Sequence, residues 1–449
     1  MKRLFDDNLY QFDKPQPSYW EATADPVPIN DEPLAGSESC DVAIIGGGYT
    51  GLSAALHLAR DFDIDVRVLE AGHIGWGASG RNGGFCCTGG TGVHRQGLVR
   101  LVGLDNAREF YASQVDAVEL VRQLAIDEAI DYQAQGDAEV EVAHTRRAFA
   151  RLQQDHALLT GALGMQAELY TADECGERFY DSAEQYGALL TRPTFGLHPL
   201  RYCRGLASAA CRRGATLHRH SEVIEWRKDE DGRHRLVTRA GMLRARKVIF
   251  ASNGFIQERL REEFFGRTIP VISAIVVTRP LTEDEKAAHN WITENPAINS
   301  RRILNYFRVL PDNRFMFGGR GDVRGTVAGE QHTYAQLTRT LHAIWPQWSS
   351  VDIEYRWHGL ICMTASLCPT LGRLEDDDSV FFGFGYHGNG VNTATWTGRQ
   401  LAYWLGNGRQ PDGIPAIVRG LSGKYPLPAL RKSYLGLGIF LSRQLDRFG

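Results

Sequence analysis

A chain of 449 residues is long enough for two or three domain-sized cores, and 43% apolar with 23% charged residues is an ordinary globular balance. The formal charge of −3 leaves no basic footprint for a nucleic acid, and no run approaches the ~18 apolar residues of a membrane-spanning helix. The eight cysteines show no C-x-x-C or zinc spacing, so no metal site is expected, and free thiols in a reducing compartment are.

Residues 1–39 read as an extension lying on the surface. Pro15, Pro17, Pro26, Pro28 and Pro33 argue against regular structure there, and Tyr19 and Trp20 are positioned to pin it to the body. The segment lacks the apolar region of a signal peptide, so the default expectation is a cytoplasmic location. Residues 41–45 are a short apolar strand, Gly46-Gly47-Gly48 a turn, 49–60 a helix and 65–69 a second, parallel strand. Gly46, Gly48 and Gly51 fill the Gly-x-Gly-x-x-Gly pattern, which permits a tight turn, close approach to a pyrophosphate and packing of helix on strand. Glu70 ends the second strand, where a carboxylate accepts ribose hydroxyls and repels a 2′-phosphate. The triplet alone would also suit an ordinary strand-to-helix turn; strand, helix, strand and acid together favour a dinucleotide. A polar loop rich in glycine and serine, with Arg81, follows at 72–84.

From Val93 the pattern turns helical, with a strand in DYQAQGDAEVEVAH and a second amphipathic helix in TRRAFARLQQDHALLTGAL. Strands recur between 216 and 251 around an acidic turn at 229–232, and residues 271–278 and 303–320 are strand-rich. The fold class expected is α/β, a Rossmann-like nucleotide-binding domain with a discontinuous α+β second domain built on a mixed β-sheet.

The run GGGYTGLSAALHLA followed by VLEAGHIGWGASGRNGG opens a set of blocks that continues in HPLRYCRGLASAA (198–210), KVIFASNGF (247–255), RWHGLICMTASLCPTLGR (356–373) and GFGYHGNGVNTATWTGRQLA (383–402). Together they resemble the glycine oxidase, sarcosine oxidase and D-amino-acid oxidase superfamily, and within it the gamma-glutamylputrescine oxidases and bacterial L-pipecolate oxidases. The resemblance implies noncovalent FAD. It would be held by Gly46, Gly48, Tyr49, Thr50, Gly51 and Glu70, and by Ala78, Ser79, Arg81, Asn82, Gly83 and Gly84 of the second loop. Val223 would meet the adenine through its backbone, while Asn253, Gly254, Gly388, Asn389, Gly390 and Val391 complete the set. It further implies a flavin domain made of 40–92, 198–256 and 355–449, and a substrate domain made of 93–197 and 257–354.

The activity implied is oxidation of an amine or amino-acid C–N bond to an imine by hydride transfer to flavin N5, with O2 reduced to H2O2. A gamma-glutamylated polyamine, or a small secondary amino acid such as L-pipecolate or sarcosine, is the implied substrate. Two alternatives stay open. One is a dehydrogenase passing electrons to a quinone or other carrier, for which the weakly amphipathic tail YLGLGIFLSRQLDRF hints at a membrane surface. The other is a non-catalytic flavin-binding subunit.

Many superfamily members carry Phe-Ser-Gly-His-Gly where this chain has Tyr386-His387-Gly388-Asn389-Gly390, so a backbone role survives and a side-chain role for the histidine does not transfer. Either Asn389 or Asn392 would suit a helix cap. Arg308 and Arg279, on or beside predicted strands, are candidate anchors for a substrate carboxylate, with surface ion pairing as the alternative. Tyr306, Trp357 and His358 wall the pocket or fill a core, and His358 is preferred among the histidines because RWHGL precedes the flavin-facing segment. Cys362-Met363-Thr364 resembles the attachment run of sarcosine oxidases, displaced by one position, which favours noncovalent binding. Phe85 stands where the putrescine-pathway enzymes commonly carry a polar residue, making that side of the flavin more apolar.

Overall fold

The first strand, Gly36–Ile45, runs parallel to Val66–Leu69 on one side and to Gly241–Phe250 on the other. Its alternation explains its place: Val42 and Ile44 enter one apolar core, Ala43 and Ile45 another. Both faces of a parallel sheet are covered, and here both are apolar. In this computed structural model residues 4–448 are described, apart from the side chains at 440 and 443–448. The first sheet runs Thr370–Arg373, Val380–Phe384, Gly241–Phe250, Gly36–Ile45, Val66–Leu69, Thr216–His218, with the hairpin Glu225–Lys228/His234–Val237 joined to Gly241–Phe250.

The Tyr49–Phe62 helix crosses between the first two strands and stops at Asp63, which adopts the left-handed conformation (φ 53°) and donates its N–H to the Leu58 carbonyl. Against this helix lies a later one, Gly390–Asn407. Gly398 sets how close they come, because a Cβ there would stand 2.7 Å from the Ser53 side chain. The long helix expected from residue 93 is broken into Arg95–Val102 and Leu104–Asp127 by Gly103, whose φ of 82° no helical residue shares.

The second sheet has eight strands in the order Ile353–Thr364, Thr268–Pro280, Arg314–Arg320, Tyr306–Val309, Ala297–Asn299, Glu139–Val142, Ala188–Arg192, Gln166–Tyr170. One pairing, Ala297–Asn299 with Glu139–Val142, is parallel and the others are antiparallel. The Ile353–Thr364 strand pairs along its length with Thr268–Pro280. The nucleotide-binding segment that the sequence starts at 355 therefore opens with a strand of the second sheet.

The extension is no mere surface cover. Trp20 is 1% exposed and its Nε1 donates to the Asn82 carbonyl at 2.9 Å. From the second sheet Trp357, also 1% exposed, donates Nε1 to the Arg81 carbonyl at 2.8 Å, and the two indoles meet edge to face at 6.1 Å. Both tryptophans thus grip the 78–84 loop. The tail forms the Arg431–Phe448 helix, but the side chains at 443–448 that bear on its expected apolar face lie outside the described residues. Among those described, no helix is long and apolar enough to cross a membrane.

Trp357→Phe keeps a ring in place and leaves the Arg81 carbonyl buried without its donor. The expected cost is about 1–3 kcal/mol of stability, read as a lower denaturation midpoint in urea; an unchanged midpoint would show that the bond contributes nothing.

Candidate active site

A cavity of about 500 Å3 lies between the two sheets and runs from Glu70 and Val223 at one end to Tyr306 and Arg320 at the other. Its first wall is the glycine turn. Gly46 has φ +114°, and a Cβ on it would come 2.7 Å from the Ala251 carbonyl oxygen. Gly48 differs: its φ is −94°, and an added Cβ would meet no backbone but would come 2.8 Å from Ser79 Oγ, which would have to turn away. No side chain caps the Tyr49–Phe62 helix at Gly48; the Tyr49 N–H donates to Ser79 Oγ at 3.0 Å. Bare amides and a helix dipole there suit a phosphate.

Glu70 accepts from the Gly47 N–H at 2.7 Å and the Gly72 N–H at 2.9 Å. Burial pushes its pKa up and these backbone bonds oppose the shift. Each carboxylate oxygen keeps lone-pair capacity toward the cavity. Ser252 Oγ, in the same wall, is buried without a partner. At the opposite side the Gly390–Asn407 helix begins without a side-chain cap. Asn389 does not cap it, since its amide donates instead to the Cys87 carbonyl at 2.7 Å, and Asn392 leaves both side-chain polar atoms buried and unpaired. The helix amides therefore face the cavity, where they favour negative charge.

Most of the residues singled out in the sequence line this one cavity: Gly46, Gly48, Tyr49, Thr50, Glu70, Ala78, Ser79, Arg81, Asn82, Gly83, Val223, Asn253, Gly388, Asn389, Gly390, Val391 and Tyr306. Three glycines do not. A Cβ on Gly51 would collide with the Gly46 carbonyl, one on Gly84 with the Leu197 carbonyl, and Gly254 faces Leu360, so they serve packing around the cavity. Phe85 lines it and meets Tyr306 edge-on at 5.7 Å. Cys362 also lines it, with burial pushing its thiol up to about 12.

The anchor candidates need correction. Arg308 is 2% exposed and sealed off, its Nη1 donating to Gln135 Oε1 at 3.0 Å and its Nη2 to the Leu197 carbonyl at 2.6 Å, with burial lowering its pKa to about 9. Arg279 is tied to Glu285 by contacts of 2.7 and 2.8 Å. His358 sits on the wrong face. Register pairs Ser273 with Gly359 and Ala274 with His358, and since side chains alternate along a strand, His358 points away from Ser273. It meets Glu330 at 3.1 Å, and burial with the nearby Arg81 lowers its pKa to about 4. Burial raises Glu330 to about 7, so both groups are shifted toward their neutral forms.

A guanidinium that lines the cavity beside Ser273 is Arg320, and Arg81, Arg95 and Arg302 line it elsewhere. Arg320 ends the Arg314–Arg320 strand beside Ser273, whose Oγ lies 3.0 Å from Tyr306 Oη. Burial lowers its pKa with no carboxylate acting against that. Period-two alternation in FMFGGR, with Phe315 and Phe317 in the core, was the signal that would have found it. Two further lining residues, Glu139 and Phe12, carried no motif at all.

Two sheets meeting over a cavity with a bare glycine turn, a carboxylate at the end of the second strand and an uncapped helix define a dinucleotide-dependent oxidoreductase. The chain belongs to the DAO family of FAD-dependent oxidoreductases, whose profile matches residues 41–404. It is 31% identical over 439 residues to the gamma-glutamylputrescine oxidoreductase of Escherichia coli (strain K12), covering 96% of this chain and 98% of that one. Glycine oxidase of Bacillus licheniformis is 26% identical, with 84% and 96% covered. Among solved structures, glycine oxidase from Geobacillus kaustophilus superposes with a TM-score of 0.68 at 22% identity, covering 87% of this chain and 100% of that one. The protein is an enzyme, and its cofactor is FAD.

Gly46→Ala and Gly48→Ala should separate scaffold from cofactor site. The first forces a side chain onto left-handed backbone and against Ala251, so it should lower the thermal midpoint of the apoprotein. The second displaces only the Ser79 hydroxyl, so it should lower that midpoint less than the first while reducing FAD retained through gel filtration; equal FAD content in Gly48→Ala and the parent protein would place the pyrophosphate elsewhere.

Proposed function

We propose that this enzyme oxidises the C–N bond of an amine bearing an anionic group, a gamma-glutamylated polyamine above all, with O2 as electron acceptor and H2O2 as product. The observation that carries this reading is Arg320, a cavity-lining guanidinium beside the Ser273–Tyr306 pair that no carboxylate among the described residues is shown to pair with. The likeness to a gamma-glutamylputrescine oxidoreductase supports the same substrate class. FAD, when bound, supplies the two-electron acceptor. In this reading Gly46, Gly48, Glu70 and the 78–84 loop hold it noncovalently, which a protonated, poorly nucleophilic Cys362 supports. The amine gives up two electrons and two protons, O2 takes them up, and water hydrolyses the imine.

The protein's own work is placement and exclusion of water. Arg320 orients the anionic end, Tyr306 and Ser273 add hydroxyls, and Phe85, Ile275, Leu360 and Ile361 add apolar surface near them. An apolar wall favours the neutral amine, the form whose lone pair drives oxidation. The uncapped Gly390–Asn407 helix favours the negative charge that develops as electrons arrive. Eight unpaired cysteines support a reducing, cytoplasmic setting.

Arg320→Met should raise KM for an anionic amine by tenfold or more, as loss of a charge-assisted pair worth about 1.5–3 kcal/mol requires, with kcat changed far less. Arg308→Met should instead lower stability and leave KM alone. The reverse pattern would return the anchor to Arg308.

Anaerobic flavin reduction should rise with pH, because the protonated amine lacks the reacting lone pair. Burial lowers His358 and His387 to about 4, so both are neutral from pH 5 upward and give no limb near the ordinary imidazole value of about 6.5. The limb should therefore move between two substrates of different amine basicity. A limb fixed near 7 for both would point to Glu139 or Glu330, each raised to about 7 by burial, and would refute control by the substrate.

A further inference from the structure

Glu139 stands in the cavity wall with no established task. It begins the Glu139–Val142 strand, is 6% exposed, and lines the cavity together with Ile298 of the neighbouring strand. Alternation sends Val140 and Val142 into the core behind the sheet, so Glu139 and Glu141 share the cavity face. Arg95, the guanidinium whose charge acts on Glu139, is committed elsewhere: its Nη1 donates to Glu141 Oε2 at 2.8 Å and to Asp155 Oδ2 at 3.1 Å. Three carboxylates thus share one cation, and the Cys87 thiol nearby donates to Asn389 Oδ1 at 3.2 Å. Burial first, and then the Glu141 charge, push its pKa up to about 7. A cation entering the cavity would offset both effects.

Resting on the amine-oxidation reading above, we infer that Glu139 is the binding point for a second, non-reacting ammonium group of the substrate. The reacting nitrogen is a poor candidate for this contact. A carboxylate beside it would stabilise its protonated form, and the protonated form does not react. Arg320 lies three strands away across the sheet, roughly 14 Å between strand axes, so the anionic and cationic contacts sit at separate points of the wall. The substrate class that fits is an elongated amine carrying at least one further positive nitrogen and an anionic group, rather than a small monoamine such as sarcosine.

The test uses the FAD-loaded full chain under anaerobic conditions, with 1,4-diaminobutane and n-pentylamine as probes of equal length and different charge, followed by perturbation of the flavin absorbance. The parent protein should bind the diamine about tenfold more tightly than the monoamine. That preference should vanish in Glu139→Gln and persist in Glu139→Asp, with FAD content equal in all three. Equal preference in parent and Glu139→Gln, or no diamine binding to the parent, overturns the inference. Loss of FAD in Glu139→Gln makes Glu139→Asp and the parent decisive, and a diamine preference absent from both overturns it as well. If the preference depends on Glu139 while no amine reduces the flavin, the oxidase reading fails and the ammonium contact stands. If amines do reduce the flavin and the preference ignores Glu139, only the ammonium contact fails.

Discussion

Two indole N–H groups hold the molecule's functional centre in place. The 78–84 loop has little regular structure, a single short 3-10 turn at Ala78–Gly80, yet it forms part of the cavity wall. Trp20 reaches it from the extension and Trp357 from the second sheet, and each donates to a backbone carbonyl in the apolar interior. A buried carbonyl without a donor is costly, so loop, extension and sheet each have one stable arrangement with respect to the others. Arg81, stacked 3.9 Å from the Trp76 ring with its Nε on the Trp76 carbonyl, extends the same rigidity into the wall.

Local signals read well wherever the physics is local. The 41–70 unit was legible because a glycine turn, an apolar strand and a helix period are all short-range properties, and the structure forms them with the expected direction. The uncapped start of the Gly390–Asn407 helix was only half legible: glycines announced the turn, while the fate of the Asn389 side chain depended on Cys87, distant in sequence. The Ile353–Thr364 strand shows the limit most clearly. Its assignment to the second sheet depends on which partner it pairs with, and a strand's own residues do not state that.

The substrate end was legible in residue type and illegible in position. Arg308 and Arg320 lie on adjacent strands and share a face, and what separates them is distance along that face: Arg308 is covered by Trp20 and the Gly84–Leu197 contact, and Arg320 opens on the cavity. For His358 and Gly359 the difference is parity alone, since a shift of one residue along a strand exchanges cavity for back face. Neither depth nor parity can be read without knowing where the second domain closes on the first.

The cavity wall is also a statement about biosynthesis. Phe12, Gly46, Val223, Tyr306 and Val391 reach it from separate stretches of the chain, and 276 positions separate Trp357 from the Arg81 carbonyl it holds. A ribosome that has released the glycine turn and the 78–84 loop has still to make the strand and helix that complete their surroundings. Throughout that interval Trp20 and the loop it grips lack their second clamp, so the nascent chain carries an unfinished, apolar-walled cleft. The complete cavity wall, from Phe12 to Val391, can therefore form only once most of the chain has been made.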